Sequence, residues 1–216
     1  MILPFLTDAD VDAAAPIVKR HLGTGGLLAY PTETVYGLGS FATDAGLDAL
    51  AALKNRPPRK PFLLLISSRT MAERQGLVFS AAAKAMADAY WPGPLTLVLP
   101  GGEGKLPARL RGAEGGIAVR HTSHRGMARL IAAIDQPITS TSANRSGGPP
   151  APGAERLAEL FADAVAAGTL LVLDGGVLGN VPPSTLVDCT SDVPALVREG
   201  AIPRAELRRA VGRLAP

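Results

Sequence analysis

The chain has 216 residues, enough for one sizeable core, and its 47% hydrophobic and 19% charged content belongs to a globular domain and excludes a disordered one. Aromatic residues are only 4%, so the core must be built from Ala, Val, Leu and Ile. A formal net charge of +3 suits a polyanionic ligand without demanding one.

Cys189 is the single cysteine, which excludes an intramolecular disulfide and a cysteine-based zinc site. Residues 1–12 carry acids rather than a cationic segment followed by an apolar run, and so do not read as a secretory signal. No stretch approaches the ~20 uninterrupted apolar residues of a membrane span, which makes the cytoplasm the expected address.

Short aliphatic runs alternate with Ala/Leu-rich windows, the pattern of an α/β layered domain. In chain order, a helix is expected over 11–22, although Pro16 complicates its start, followed by a strand over 26–30. The next helix, 45–55, places Leu47, Leu50 and Leu53 on one face, with Asp44 as its expected cap. Pro57 and Pro58 stop it, and a strand over 62–66 follows. A helix over 81–90 and a strand over 95–99 lead into 101–116, whose six glycines predict a mobile surface loop. Beyond lie a strand over 116–120, a helix over 123–134, a strand over 138–141 and a helix over 154–167. Strands over 170–174 and 185–188 and a helix over 204–214 complete the series.

Four segments put polar or cationic groups at strand ends, where open α/β sheets tend to bind ligands. The first, Y-P-T-E-T-V-Y-G-L-G at 30–39, sets two threonine hydroxyls and a carboxylate directly after a strand, as a polar turn also would. The second gathers Lys54, Arg56 and Lys60 beside two prolines. Arginine forks and lysine point charges suit a triphosphate, but cations at a helix end are favoured by the dipole alone. The third, S-T-S-A-N-R-S-G-G at 140–148, follows a strand with small hydroxyls, an amide and two glycines, an anion-receptive loop or a simple Ser/Gly turn. No G-x-x-x-x-G-K-[ST] loop occurs anywhere. The fourth comprises Arg120, emerging from an apolar strand, and the distant Ser184, Thr185 and Arg198. A guanidinium there needs a partner, either a ligand carboxylate or an internal acid. His21, His121 and His124 lack zinc-ligand spacing, and W-P-G-P at 91–94 reads as a rigid turn with an aromatic anchor.

In order, Y-P-T-E-T-V-Y-G-L-G, K-N-R-P at 54–57, W-P-G-P-L-T at 91–96, A-V-R at 118–120, S-T-S-A-N-R-S-G, S-T-L-V-D at 184–188 and V-R-E-G at 197–200 resemble the YrdC-type threonylcarbamoyl-AMP synthases. The resemblance covers roughly residues 10–205 and implies a single catalytic domain over 1–216 with its core in that range. It implies a twisted α/β fold, in which a mixed sheet with flanking helices surrounds a large positively charged cavity. It also implies that L-threonine, bicarbonate and ATP give threonylcarbamoyl-AMP and pyrophosphate. Separate transfer enzymes would then pass the threonylcarbamoyl group to a tRNA adenosine.

On the same basis Lys54, Arg56, Ser142 and Asn144 correspond to the family's K-x-R and S-x-N signature and are the expected catalytic residues. Arg56, Lys60, Ser140, Asn144 and Arg198 are expected at ATP, and Thr34, Arg120, Ser142 and Ser184 at threonine, with Arg120 on its carboxylate. Mg²⁺ would ride on the phosphates without a protein cage. Some relatives place a histidine after K-x-R where this chain has F-L-L-L-I at 62–66, and the usual R-P-G reads Arg198-Glu199-Gly200, which sets an acid near the expected ATP position. Pro150 stands where relatives often have Ser. Two other readings remain: a carbamoyl-transfer domain, of the kind usually accompanied by cysteine clusters, and a non-catalytic protein binding double-stranded RNA or tRNA.

Overall fold

The computed structural model describes residues 1–55, 61–145, 147–179 and 181–215. A short strand β1 (Ile2–Pro4) precedes helix α1 (Asp8–Gly23), which runs through Pro16 and begins several residues earlier than the apolar spacing suggests. Thr7 explains the early start: its hydroxyl accepts from the Asp10 amide while the Asp10 carboxylate accepts from the Thr7 amide. Strands β2 (Leu27–Tyr30) and β3 (Gly37–Gly39) flank the first polar segment, and α2 (Asp44–Lys54) follows. The cap of α2 is Thr43, not Asp44, because the Thr43 hydroxyl takes the Gly46 amide and Asp44 stands inside the first turn. Asn55 ends α2 in the left-handed region.

Strand β4 (Leu63–Ile66) leads to α3 (Arg69–Arg74), α4 (Ala81–Tyr90) and β5 (Leu95–Leu99). Trp91 ends α4, donates its indole N–H to the Leu95 carbonyl and meets Phe79 edge-on, the anchoring part expected of W-P-G-P. The glycine-rich stretch 101–116 is no bare surface loop. It contains a 3₁₀ turn (Ala108–Leu110) and buries Leu106 and Leu110. Strand β6 (Ile117–His121), α5 (Arg125–Ile134) and β7 (Ile138–Ser142) follow. The long helix expected over 154–167 is broken at Phe161 into α6 (Ala154–Leu160) and α7 (Ala162–Ala166). Strands β8 (Leu170–Asp174), β9 (Thr185–Asp188) and β10 (Ala195–Arg198) precede the last helix, α8 (Arg204–Val211).

The strands form one mixed ten-stranded sheet in the order β1-β8-β2-β3-β7-β4-β6-β5-β9-β10. Pairing is parallel between β1 and β8, β8 and β2, β4 and β6, and β5 and β9, and antiparallel elsewhere. Register places Leu97 opposite both Val119 and Val187, so these buried side chains share a face. The alternate positions point the other way: Val98 pairs with Ala118 and Asp188, and Leu63 pairs with Ser140. That second face carries smaller and more polar side chains. It leaves room above the middle of the sheet, and the site lies there.

Candidate functional site

A cavity of about 430 Å³ lies across β3, β7, β4, β6, β5, β9 and β10, seven strands that are consecutive in the sheet. Its floor is read at every second residue: Thr96 and Val98, Ala118 and Arg120, Ser140 and Ser142, then Ser184, Leu186 and Asp188. Thr34 contributes a wall from the loop after β2 and Leu110 one from the 3₁₀ turn. Ligand space therefore covers a sheet face rather than lying only beyond strand ends. The small residues at alternate positions leave that volume open.

Of the ten side chains expected at the site, six wall this cavity: Thr34, Arg120, Ser140, Ser142, Ser184 and Arg198. Arg56 and Lys60 lie outside the described residues. Lys54 and Asn144 are not among the wall residues, but both bond to Ser142, which is. Lys54 is only 5% exposed, and its ammonium donates to the Ser142 carbonyl and to Asn144 Oδ1 at 2.9 Å. Asn144 Oδ1 also accepts from the Ser142 hydroxyl at 2.6 Å, while its amide nitrogen donates to the Gly148 carbonyl at 2.6 Å. The solvated helix end allowed for Lys54 is therefore wrong, since its ammonium turns inward and ties α2 to the loop after β7.

Arg120 is 5% exposed and reaches the cavity from β6. One Nη donates to Thr34 Oγ1 at 3.4 Å and the other to Glu33 Oε2 at 3.5 Å, while Nε is buried without a partner. Burial pushes this guanidinium below its ordinary value, Glu33 and then Tyr30 pull it back up, and Arg198 adds to the depression. Glu33 in turn accepts from the Thr122 hydroxyl, and its Oε1 is buried without a partner. The internal acid and the open donor thus coexist. The long contacts leave Arg120 able to take a further anion.

At the other end Ser184 Oγ lies 2.9 Å from Thr96 Oγ1, and Arg198 Nη2 donates to the Ser184 carbonyl at 2.8 Å. The Glu199 carboxylate accepts from the Arg204 amide at 3.3 Å, at the start of α8. Charged groups in the described cavity wall are Arg120, Arg198, Glu114 and Asp188, two of each sign. Glu33 was noted only as the carboxylate of the 30–39 segment, and Thr96, Glu114 and Asp188 were given no role from sequence. The two-residue alternation through 96–98, 118–120 and 184–188 was the signal that would have found Thr96 and Asp188.

Residues 20–200 match the Sua5/YciO/YrdC family profile, described as "Telomere recombination". The chain belongs to this family. A threonylcarbamoyl-AMP synthase of Pyrococcus abyssi is 36% identical over 199 residues, covering 92% of this chain and 57% of the relative. One from Chromohalobacter salexigens is 39% identical over 185 residues, covering 85% of this chain and 94% of the relative. The crystal structure of P. abyssi Sua5 complexed with L-threonine superposes with a TM-score of 0.86 at 32% identity, over all of this chain and 63% of that one. The chain therefore spans just over half of the archaeal relative and nearly the full length of the shorter bacterial one. The mixed sheet with flanking helices is the fold of this Sua5 structure. No helix among the described residues is long and apolar enough to cross a membrane.

Proposed function

We propose that this member of the family is a threonylcarbamoyl-AMP synthase whose catalytic unit has its core over residues 10–205. The observation that carries the reading is Arg120: a buried guanidinium in a cavity wall, with long internal contacts and an open Nε, beside the Thr34 hydroxyl and in a cavity that Ser142 also lines. A small amino acid offers the carboxylate and hydroxyl that such a set accepts. The names of the relatives and the threonine bound to Sua5 support the choice of threonine.

In the proposed reaction the threonine amine and bicarbonate combine with loss of water to a carbamate. A carbamate oxygen attacks the α-phosphorus of ATP, forming the new P–O bond as the bond to the pyrophosphate oxygen breaks. The protein's task is to fix both reactants and to place cations and donors around the charge that builds on the phosphoryl oxygens. Arg120, Thr34, Ser142 and Ser184 hold threonine in this scheme; Ser140, Asn144, Arg198, Arg56 and Lys60 hold ATP. Lys54 works by fixing Asn144 and the Ser142 backbone. Mg²⁺ enters on the nucleotide phosphates, and the described residues contain no group of three or more His, Cys, Asp or Glu side chains able to hold it separately. The adenylate then passes to tRNA threonylcarbamoyl-transfer enzymes in the cytoplasm.

The test is pyrophosphate release from ATP by the purified protein. It is expected to require L-threonine and bicarbonate together. Equal release with either omitted rejects the reading.

A further inference from the structure

We infer that Glu33 is a positioning residue for Arg120, the resident counter-charge that aims the guanidinium at the substrate carboxylate; this rests on the synthase reading above. Thr34 and Arg120 wall the cavity, whereas the walls as described do not include Glu33 or Thr122. Glu33 therefore meets Arg120 from the protein side, through Nη2 to Oε2, with its own side chain 16% exposed. Its carboxylate is pinned in turn: Oε2 also accepts from Thr122, a fully buried threonine two residues beyond Arg120. The Thr122 hydroxyl also accepts from the His124 amide at 3.2 Å, which fixes it to the turn before α5. A chain of fixed groups thus runs from α5 through Thr122 and Glu33 to Arg120.

The distances decide what the chain does. A paired guanidinium and carboxylate in a structural ion pair approach to about 2.7–2.9 Å and saturate each other. Here the approach is 3.5 Å, and each partner keeps one buried atom unsatisfied, Nε on Arg120 and Oε1 on Glu33. Glu33 neutralises Arg120 enough to keep a buried cation tolerable without consuming its donors. Thr34 restrains the other Nη at 3.4 Å. With both Nη groups steered by adjacent residues of one loop, the orientation of the fork is fixed before a ligand arrives, and less ordering is left for binding. A neutral amide at position 33 keeps the shape and removes the counter-charge that orients the fork.

The experiment compares wild-type protein with Glu33→Gln, Thr122→Val and the double variant. First, L-threonine binding to wild-type protein is measured by calorimetry. Absence of binding rejects the synthase reading itself, independently of Glu33. With binding established, Glu33→Gln is expected to raise the threonine KM about tenfold, with kcat and the ATP KM within about threefold. Thr122→Val should give the same signature in weaker form, and the double variant should be no worse than Glu33→Gln because both act through one contact chain. Melting curves serve as the control. An unchanged threonine KM, or threonine and ATP KM rising together with a lowered melt, overturns the inference and makes Glu33 a purely structural partner. Should Glu33→Gln not fold, Thr122→Val alone decides by the same split.

Discussion

Lys54 Nζ donates to Asn144 Oδ1 at 2.9 Å, joining the end of α2 to a loop ninety residues further along the chain. The same oxygen accepts from Ser142, so one amide carbonyl gathers a cation and a hydroxyl on either side of the strand end. Removal of this ammonium strips donors from buried acceptors, so Lys54→Met should cost about 1–3 kcal/mol of stability rather than the ~0.3–1 of an exposed helix end. For a chain of this size that lowers the melting temperature by about 2–12 °C. Adenylate formation should fall on the order of 10²-fold. Melting Lys54→Met, Asn144→Ala and the pair gives a coupling energy, and additive losses would show that the contact is not formed in solution.

Arg120→Lys preserves charge but replaces a fork with a point donor. If the guanidinium grips a carboxylate, kcat/KM for threonine should fall by about 2–4 kcal/mol in transition-state terms, with nucleotide binding retained. Steady-state kinetics with each substrate varied in turn checks this. An unchanged threonine dependence would leave Arg120 as the internal partner of Glu33 only.

The sheet was largely legible because its strands are apolar runs bounded by turn residues, and 95–99, 170–174 and 185–188 fall where expected. Strand β3 was not, since Gly37-Leu38-Gly39 has no strand propensity and forms by tertiary packing. Its glycines are required by close approach: a Cβ on Gly39 would stand 1.9 Å from the Thr139 carbonyl oxygen. Strands β1 and β10 are three and four residues long at the two sheet edges, too short to give a periodic signal. Within the site, Arg120 was visible as a cation leaving a buried strand, but its pairing with Glu33 joins residues 87 apart and had no local signature. The inward turn of Lys54 had no local signature for a related reason. The helix dipole explains a cation at that position equally well whether its side chain turns to water or, as here, inward.

Gly200 offers a purely steric test of the far end of the cavity. A Cβ there would meet the Pro183 carbonyl oxygen at 2.2 Å and the Ser184 carbonyl carbon at 2.7 Å, backbone atoms that cannot rotate away. Gly200→Ala should therefore displace the Pro183–Ser184 backbone and loosen the Arg198 bond to the Ser184 carbonyl. Overpacking of this kind costs about 1–3 kcal/mol. Activity should drop more than the fraction folded does, measured by comparing melting and adenylate formation at one temperature. Wild-type activity in Gly200→Ala would separate this turn from the reaction.

The final prediction concerns pH and runs through His124. Its Nδ1 accepts the Met127 amide at 3.2 Å, so it caps α5 with a lone pair that exists only while that nitrogen is unprotonated. The ring stacks on Phe5 with centroids 6.2 Å apart. Burial pushes both His124 and His121 below the ordinary histidine value, with Glu33 opposing the shift in each case. A base with a depressed folded pKa binds protons more readily when unfolded, so its contribution to stability is present above the unfolded value near 6.5 and is lost as pH falls below it. The melting temperature should hold level above about pH 7 and decline from about 6.5 downwards. The exposed carboxylates Asp10, Asp12 and Asp135, all held below their ordinary value, add losses only in the lower carboxylate range near pH 4. The two windows are separable. His124→Asn supplies a capping oxygen that does not titrate in this range, and it should shrink the step near pH 6 while leaving the acid limb in place. An undiminished step in His124→Asn would assign the proton uptake elsewhere, with His121 the next group to replace.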